Sequence, residues 1–197
     1  YVYKRCKQSK EANHILVITS LEKSDDELYE FCCKERIPVF RGDLDNVLKR
    51  YLDASISQNL DIICRVCGDS PFVDVEAIDQ MFLEFSNSSL EYITTVNVLN
   101  GFISEVFTLD LLQRIYNMKL TKEDKEHVTK YIRDNKNNFK IRELDLNLRD
   151  ENLKKFTLTI DYPIDLEIAQ NIVSKLDDFK FNSKDVMAIL SKIKEVK

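Results

Sequence analysis

One stretch limits what this chain can become. From Asp61 to Asp74 it reads DIICRVCGDSPFVD, an apolar run of Ile62, Ile63 and Cys64 with Val66 and Cys67 that stops at a glycine and an aspartate. A continuous apolar run predicts a strand buried on both faces, which belongs in a parallel α/β sheet rather than in a half-wetted antiparallel one. Gly68 is expected to release the turn, Pro71 to end ladder pairing, and Asp74 with Glu76 to open a helix. In such sheets ligands sit at the carboxyl ends of strands. Asp69 lies there, placed to hold a metal ion or a substrate hydroxyl.

Composition narrows the class. The 197 residues suffice for one well-buried domain, 1–197, and 44% apolar with 32% charged residues fits a soluble globular chain. No apolar run nears the roughly 18 residues of a spanning helix, so no membrane partner is expected. A net charge of −5 with interspersed signs offers no basic stripe, which excludes nucleic acid as a partner. Three Gly and three Pro are too few for the turns of an all-β fold. Five cysteines, an odd number set inside apolar segments, read as reduced thiols in a cytoplasmic protein. Cys64 and Cys67 spell C-x-x-C, but residues three apart on a strand face opposite sides, so both are read as small buried hydrophobes.

In chain order, residues 1–10 look like the last turns of a helix, and His14–Ser20 like a buried strand. Ser24 with Glu27 forms a capping-box pattern for a helix over Asp25–Arg36, with Leu28, Phe31 and Cys32 inward. A strand over Ile37–Phe40 and a helix over Asp45–Ser57 lead to the organising strand, which makes a βαβαβ unit. The helix Asp74–Asn87 follows. From Leu90 to Asp150 the signals change: strands Tyr92–Val98 and Ile103–Leu109 flank Asn100-Gly101, a helix spans Thr108–Tyr116, one charged helical segment covers Thr121–Asn135, and a strand covers Phe139–Leu146. Hairpin signals belong to antiparallel pairing, so this part reads as an excursion from the parallel sheet. Phe156–Ile160 then reads as an apolar strand that ends in Asp161-Tyr162-Pro163 and opens a helix. Ser183–Val196 closes the chain as a helix.

Asp69 and Asp161 are thus two strand-end carboxylates. Hard oxygens of this kind suit Mg²⁺, which keeps few protein ligands and takes the rest from phosphate and water. A strand-end aspartate is equally a routine helix cap. Asp43-Leu44-Asp45 spells the D-x-D of metal-dependent glycosyltransferases, yet it falls at a helix start, where acids favour the dipole.

The residues around these candidates resemble one family. Arg65-Val66-Cys67-Gly68-Asp69-Ser70-Pro71-Phe72-Val73-Asp74 is similar to the R-I/V-x-G-D-x-P-x-I/V-D segment of the cytidylyltransferases of spore coat polysaccharide biosynthesis, relatives of the acylneuraminate and ketodeoxyoctonate cytidylyltransferases. Further matches follow in the family's order: Val39-Phe40-Arg41-Gly42 with Asp45, Val47, Leu48, Arg50 and Tyr51; Glu126-His127-Val128-Thr129 with Tyr131-Ile132-Arg133; and Leu158-Thr159-Ile160-Asp161-Tyr162-Pro163 with Asp165-Leu166-Glu167. Departures are Asn100, Gly101, Phe102 and Ile103, where the family carries acidic residues around its glycine and only Glu105 keeps that character, and Lys130 in place of a common proline.

The resemblance implies a Rossmann-like α/β/α sandwich of the nucleotide-diphospho-sugar transferase type, its sheet mostly parallel. It implies transfer of a nucleoside monophosphate from a triphosphate, CTP favoured, to a sugar or sugar acid with release of pyrophosphate, for polysaccharide or glycan assembly. Mg²⁺ would fall to Asp69 and Asp161 and a catalytic place to Arg65, which is equally readable as a structural ion-pair partner. Acceptor contacts would fall to Glu105, Glu126, His127, Tyr131 and Arg133, with a homodimer formed through the 90–150 excursion. On one continuous helix His127 and Tyr131 share a face, and the Arg133 fork suits a carboxylate or phosphate; a solvated helix face is the bland alternative. The family opens with a strand and a loop rich in Arg, Ser, Gly and Lys that cradles the triphosphate. No such segment precedes Tyr1 in this sequence: a chain that truly lacks both is expected not to bind a triphosphate in the family manner, one from which they have been cut is expected to be competent when intact, and the alternative function is a non-catalytic binding or structural module of the same fold.

Overall fold

Period-two alternation decides which way each central strand faces. In the computed structural model, which describes residues 1–148 and 156–195, β1 (Val17–Ser20) and β2 (Val39–Gly42) pair in parallel. A second sheet runs in the order β3-β5-β4-β6, from β3 (Ile62–Arg65), β4 (Tyr92–Val96), β5 (Glu105–Thr108) and β6 (Ile141–Asp145). Only β5 runs against its neighbours there, since β3 and β4 are both antiparallel to it and β6 is parallel to β4.

Ile63, Tyr92 and Phe107 share one face and pack on Leu48 and Leu52 of α3 (Val47–Ser57) and on Leu111, Leu112 and Ile115 of α5 (Leu109–Tyr116). Cys64, Ile93 and Val106 take the other face, against Ala77, Ile78 and Met81 of α4 (Val75–Ser86). Each large side chain so removed from water stabilises the fold by roughly 1.5–3 kcal/mol. Helices on both faces of the sheet make the expected Rossmann-like α/β/α sandwich.

A third cluster joins Phe72, Phe102 and Leu158 to α8 (Pro163–Val173) and α9 (Ser183–Glu195). Arg5 of α1 (Val2–Cys6) clamps it: buried, with Nη2 donating to the carbonyls of Val73 and Phe181 at 2.9 Å each and its guanidinium 3.7 Å from the centroid of the Phe181 ring. No helix among the described residues is long and apolar enough to cross a membrane.

Several local expectations fail for physical reasons. β3 is not buried on both faces: it is the edge of its sheet, and Ile62 is 36% exposed. The Ser24–Glu27 box does not form, because Ser24 lies in a 3₁₀ turn, Lys23–Asp25, and α2 (Asp26–Lys34) starts one residue later. Asp25 turns back instead, accepting from Thr19 Oγ1 at 2.5 Å and from the Ser20 amide at 2.9 Å. Those bonds, Thr19 first, hold its carboxyl down at about 2. Of the apolar face expected on α2, only Cys32 is buried; Leu28 and Phe31 are 45% and 55% exposed.

The Thr121–Asn135 helix is broken into α6 (Lys122–Glu126) and α7 (Lys130–Asp134) at Val128, whose φ is +38°. Val128 and Thr129 are both fully buried there, and Thr129 Oγ1 donates to the buried Glu105 carboxylate at 2.7 Å. Phe156–Ile160 joins no ladder among the described residues. The expected end of the excursion at Asp150 and the last residue of the final helix lie outside the described residues.

Candidate active site

The carboxyl end of β3 carries two kinds of acid site. At the turn, Gly68 has a φ outside the left-handed region, and a Cβ built on it meets no atom within 4 Å. The turn therefore does not require glycine, contrary to the expectation. What the residue provides is open space beside the strand end.

Asp69 follows, and it is not a helix cap. Asp74 caps α4 through Oδ1, which accepts from the Ala77 amide at 3.1 Å, while its Oδ2 takes the Ser183 amide at 3.0 Å. Asp69 Oδ1 accepts from Ser70 Oγ at 2.9 Å, and Oδ2 accepts from no described residue.

Asp161 reaches the same place by another route. Gly101 has φ +101°, and a Cβ there would lie 2.8 Å from the Leu158 carbonyl, so glycine lets the 97–104 turn press on the Leu158 backbone. The Leu158 amide donates to Asn100 O at 3.3 Å, and the Ile160 amide donates to Asp69 O at 2.9 Å. Asp161 is thereby held on the segment next to Asp69. The capping work of α8 falls to Asp165, whose Oδ2 accepts from the amides of Asp161 and Tyr162 at 3.1 and 2.8 Å. Asp161 is left exposed, with Oδ2 taking Thr159 Oγ1 at 2.8 Å and Oδ1 unengaged by described residues. The cap reading of both aspartates fails, and two carboxylate oxygens stay available.

Glu105 is the opposite case. It sits across from Arg65 in the β3–β5 register and is 1% exposed. Its Oε1 accepts from Tyr92 Oη at 2.6 Å, Thr129 Oγ1 at 2.7 Å and Arg133 Nη1 at 2.8 Å; its Oε2 accepts from Arg65 Nη1 at 2.8 Å. Burial works to raise the Glu105 carboxyl, and Arg65, Tyr92, Thr129 and Arg133 together outweigh it and hold it low. Burial likewise pushes Arg65 down, and Tyr51, Cys67 and Glu105 carry it above its ordinary value. Tyr92 is raised by burial and then by Glu105, which keeps its hydroxyl a donor. Two guanidinium groups share one carboxylate, so the node keeps an excess positive charge, with the Arg65 and Arg133 side chains 22% and 42% exposed.

The remaining candidates spread out. Glu126 and His127 are exposed at the end of α6, and their side chains bond no described residue. Tyr131 is half-buried with its ring edge-on to Phe139, so the break at Val128 removes the helix face that His127 and Tyr131 were expected to share. Asp43 of the D-x-D accepts from the Asn46 amide at 2.8 Å, as part of the turn before α3.

A sequence model described as cytidylyltransferase matches residues 1–196. The chain belongs to the cytidylyltransferase family. It is 33% identical over 195 residues to an uncharacterized protein of Methanocaldococcus jannaschii, covering 98% of this chain and 79% of that one. It is 30% identical over 167 residues to the spore coat polysaccharide biosynthesis protein SpsF of Bacillus subtilis, covering 84% and 69%. A cytidylyltransferase from Leptospira borgpetersenii superposes with a TM-score of 0.89 at 31% identity, over 98% of this chain and 82% of its own. CMP:2-keto-3-deoxy-manno-octonic acid synthetase, complexed with CTP, shares the fold at a TM-score of 0.64 and 13% identity, over 89% and 87%.

For this cytidylyltransferase-family chain, sequence reading missed Tyr92 and Thr129, which fix Glu105, and Gly101, which seats the Asp161 segment. Thr129 stood inside the quoted Glu126–Thr129 match and carried that signal. Tyr92 looked like any inward strand aromatic, and nothing in its neighbours marked its hydroxyl as a donor to a carboxylate thirteen residues away.

Proposed function

We propose that the protein is an Mg²⁺-dependent cytidylyltransferase that transfers CMP from CTP to a hydroxyl of a sugar or sugar acid and releases pyrophosphate. The observation that supports this reading is a pair of aspartates, neither used as a cap, on segments joined by the Ile160 amide to Asp69 carbonyl bond. Unengaged hard oxygens on Asp69 and Asp161 fit Mg²⁺, and the described residues contain no larger cluster of His, Cys, Asp and Glu that would saturate it. When bound, the ion would neutralise charge on the phosphoryl oxygens and the leaving pyrophosphate.

The chain's own residues supply position. An acceptor oxygen forms a bond to the α-phosphorus as the bond to the bridging oxygen of pyrophosphate breaks, and the acceptor hydroxyl loses its proton. Gly68 leaves room for a phosphate or base beside the strand end. Arg65 and Arg133, held in one orientation by Glu105, present their remaining N–H groups to an anion, and the planar fork of Arg133 suits a sugar-acid carboxylate. Exposed His127 and Glu126 are free to meet the acceptor. Glu105 supports the acceptor site through the arginines rather than by contact, because its oxygens are already occupied.

The test is pyrophosphate release with Mg²⁺, each of the four nucleoside triphosphates, and a panel of sugar acids and sugar phosphates. Release with CTP and loss of release in Asp69→Asn, its fold retained, is the expected outcome. CTP binding by calorimetry without any release would favour the non-catalytic module.

A further inference from the structure

One exposed side chain interrupts a buried run at the open end of the β3–β5 ladder. From Gly101 to Phe107 every residue is buried except Ile103, which is 47% exposed. Its backbone is pinned on both sides. Phe102 N donates to Leu99 O at 3.1 Å, Ser104 N to Thr95 Oγ1 at 3.1 Å, and Thr95 N to Ser104 O at 3.2 Å.

Alternation fixes where that side chain stands. The pairing with β4 continues through Ser104, so the period of two runs on past the start of β5. Val106 faces α4, whereas Phe107 and Glu105 face the other side, Phe107 against α3 and α5 and Glu105 against Tyr92, Thr129 and Arg133. Phe102 is drawn into the cluster of Phe72 and Leu158. Ile103 therefore lies on the Glu105 side, two residues beyond the last ladder pair, Arg65 and Glu105. The exposed parts of Arg65 and Arg133 belong to that same side. Single exposed apolar residues are ordinary on outward helix faces, as with Leu83 of α4. Ile103 instead stands at a strand end, on the sheet face that carries the acceptor groups.

We infer that Ile103 is a specificity-determining residue of the acceptor site, and that it contacts a methyl-terminated substituent of a carboxylated sugar, either a deoxy carbon or an acyl group on a sugar nitrogen. The inference rests on the proposed reaction only in taking Arg65 and Arg133 as the groups that meet the acceptor's anion. Those guanidinium groups hold an anion and give nothing to an apolar group. A methyl group is driven out of water only against an apolar surface. A branched side chain set between buried neighbours is such a surface, formed before the ligand arrives, so little ordering is paid for on binding. A hydroxymethyl group in the same place gives up hydrogen bonds to water and finds only carbon. The two substituents are thereby told apart. Ile103 is also one of the positions where the chain departs from the family's acidic pattern, and a carboxylate there would select the opposite, hydroxyl-bearing group.

Acceptor binding measured by calorimetry without CTP tests this independently of turnover. Two pairs of carboxylated sugars are the probes, one pair differing in a methyl against a hydroxymethyl group, the other in an N-acetyl against an N-formyl group. The parent is expected to bind the methyl-bearing member of at least one pair about fourfold more tightly, the ratio that corresponds to about 0.8 kcal/mol for one buried carbon group. Preference within the first pair assigns the deoxy carbon, and within the second the acyl group. Ile103→Val is expected to keep the preference. Ile103→Thr, which differs from it by a hydroxyl in place of a methyl, is expected to lose it. Leu83, 49% exposed on the α4 layer, is the control: Leu83→Thr is expected to leave the preference unchanged. Equal affinity within both pairs, binding of none of the four, or a preference that survives in Ile103→Thr overturns the inference. Preference without pyrophosphate release on adding CTP and Mg²⁺ would keep the contact and overturn the reaction, and release without preference would do the reverse.

Discussion

β3 ends in two carboxylate sites built in opposite ways. Glu105, facing Arg65, is buried and takes four donors; Asp69, four residues further along the chain from Arg65, keeps an oxygen that nothing described engages. A saturated carboxylate does its work inside the fold, by fixing its partners. An unsaturated one at an open strand end contributes little to the fold and remains available to a ligand. The difference predicts that stability and activity separate across these positions.

The largest effect is expected at Glu105. Glu105→Ala leaves Arg65, Tyr92 and Thr129 without their buried partner, and removing one side of such a network costs about 3–5 kcal/mol, read from the urea midpoint. Asp69→Asn sharpens the contrast: stability within about 0.5 kcal/mol of the parent, because no buried interaction is lost, with pyrophosphate release lower by roughly a hundredfold or more. A stable Glu105→Ala beside an unfolded Asp69→Asn would reverse the assignment.

Gly101→Ala comes next. The added Cβ meets the Leu158 backbone at a φ that side chains avoid, for a cost of about 1–3 kcal/mol. Relief of that clash moves the segment carrying Asp161 away from Asp69. Activity is therefore expected to fall with stability, whereas at Asp69 the two separate; both assays on one preparation check this.

Acid titration separates the sites by sign. The Glu105 carboxyl is held below its unfolded value, so its contribution is complete above about pH 4.3, the unpaired glutamate value, and is lost as pH falls through the depressed folded value. Asp25, held at about 2, acts in the same direction: its contribution is complete above the unfolded aspartate value and lost as pH falls toward about 2. Urea stability of the parent is expected to decline below pH 4, while Glu105→Gln, already weakened at neutral pH, declines less. A constant difference between them from pH 7 to pH 3 would show that the node does not act through ionisation.

Much of this contrast was legible in the residues, and the limits have identifiable causes. The layers, the Asp69 strand end and the helices at Val47, Val75 and Leu109 follow from local periodicity and caps. The break at Val128 does not, because its cause is the demand of Glu105 for Thr129, twenty-four residues away. Phe156–Ile160 has a strand's composition yet joins no ladder among the described residues, where its amides at Leu158 and Ile160 are taken by the loop carbonyls of Asn100 and Asp69. Apolar patterning also reported Leu28 and Phe31 as inward, since it records what a helix can bury and not whether a neighbour is there to bury it. The site residues divide the same way. Asp69 and Asp161 carry their signal in short motifs, whereas the saturation of Glu105 depends on four partners from three other elements.

Gly68 tests the comparison with the smallest change. Sequence logic reads a glycine at a strand end as a backbone necessity, yet here the φ is ordinary and the space around the absent Cβ is empty. Replacement by alanine at a compatible backbone position restricts the unfolded chain and stabilises by about 0.4–1 kcal/mol. Gly68→Ala is therefore expected to raise the urea midpoint slightly, the opposite sign to Gly101→Ala. If the open space beside Asp69 is where CTP lies, the same methyl group enters that space and weakens nucleotide binding, read by calorimetry. A more stable protein that binds CTP less tightly would place the nucleotide against Gly68. A more stable protein with unchanged affinity would leave Asp69 as a metal or acceptor residue and move the nucleotide toward the Arg65 side of the strand end.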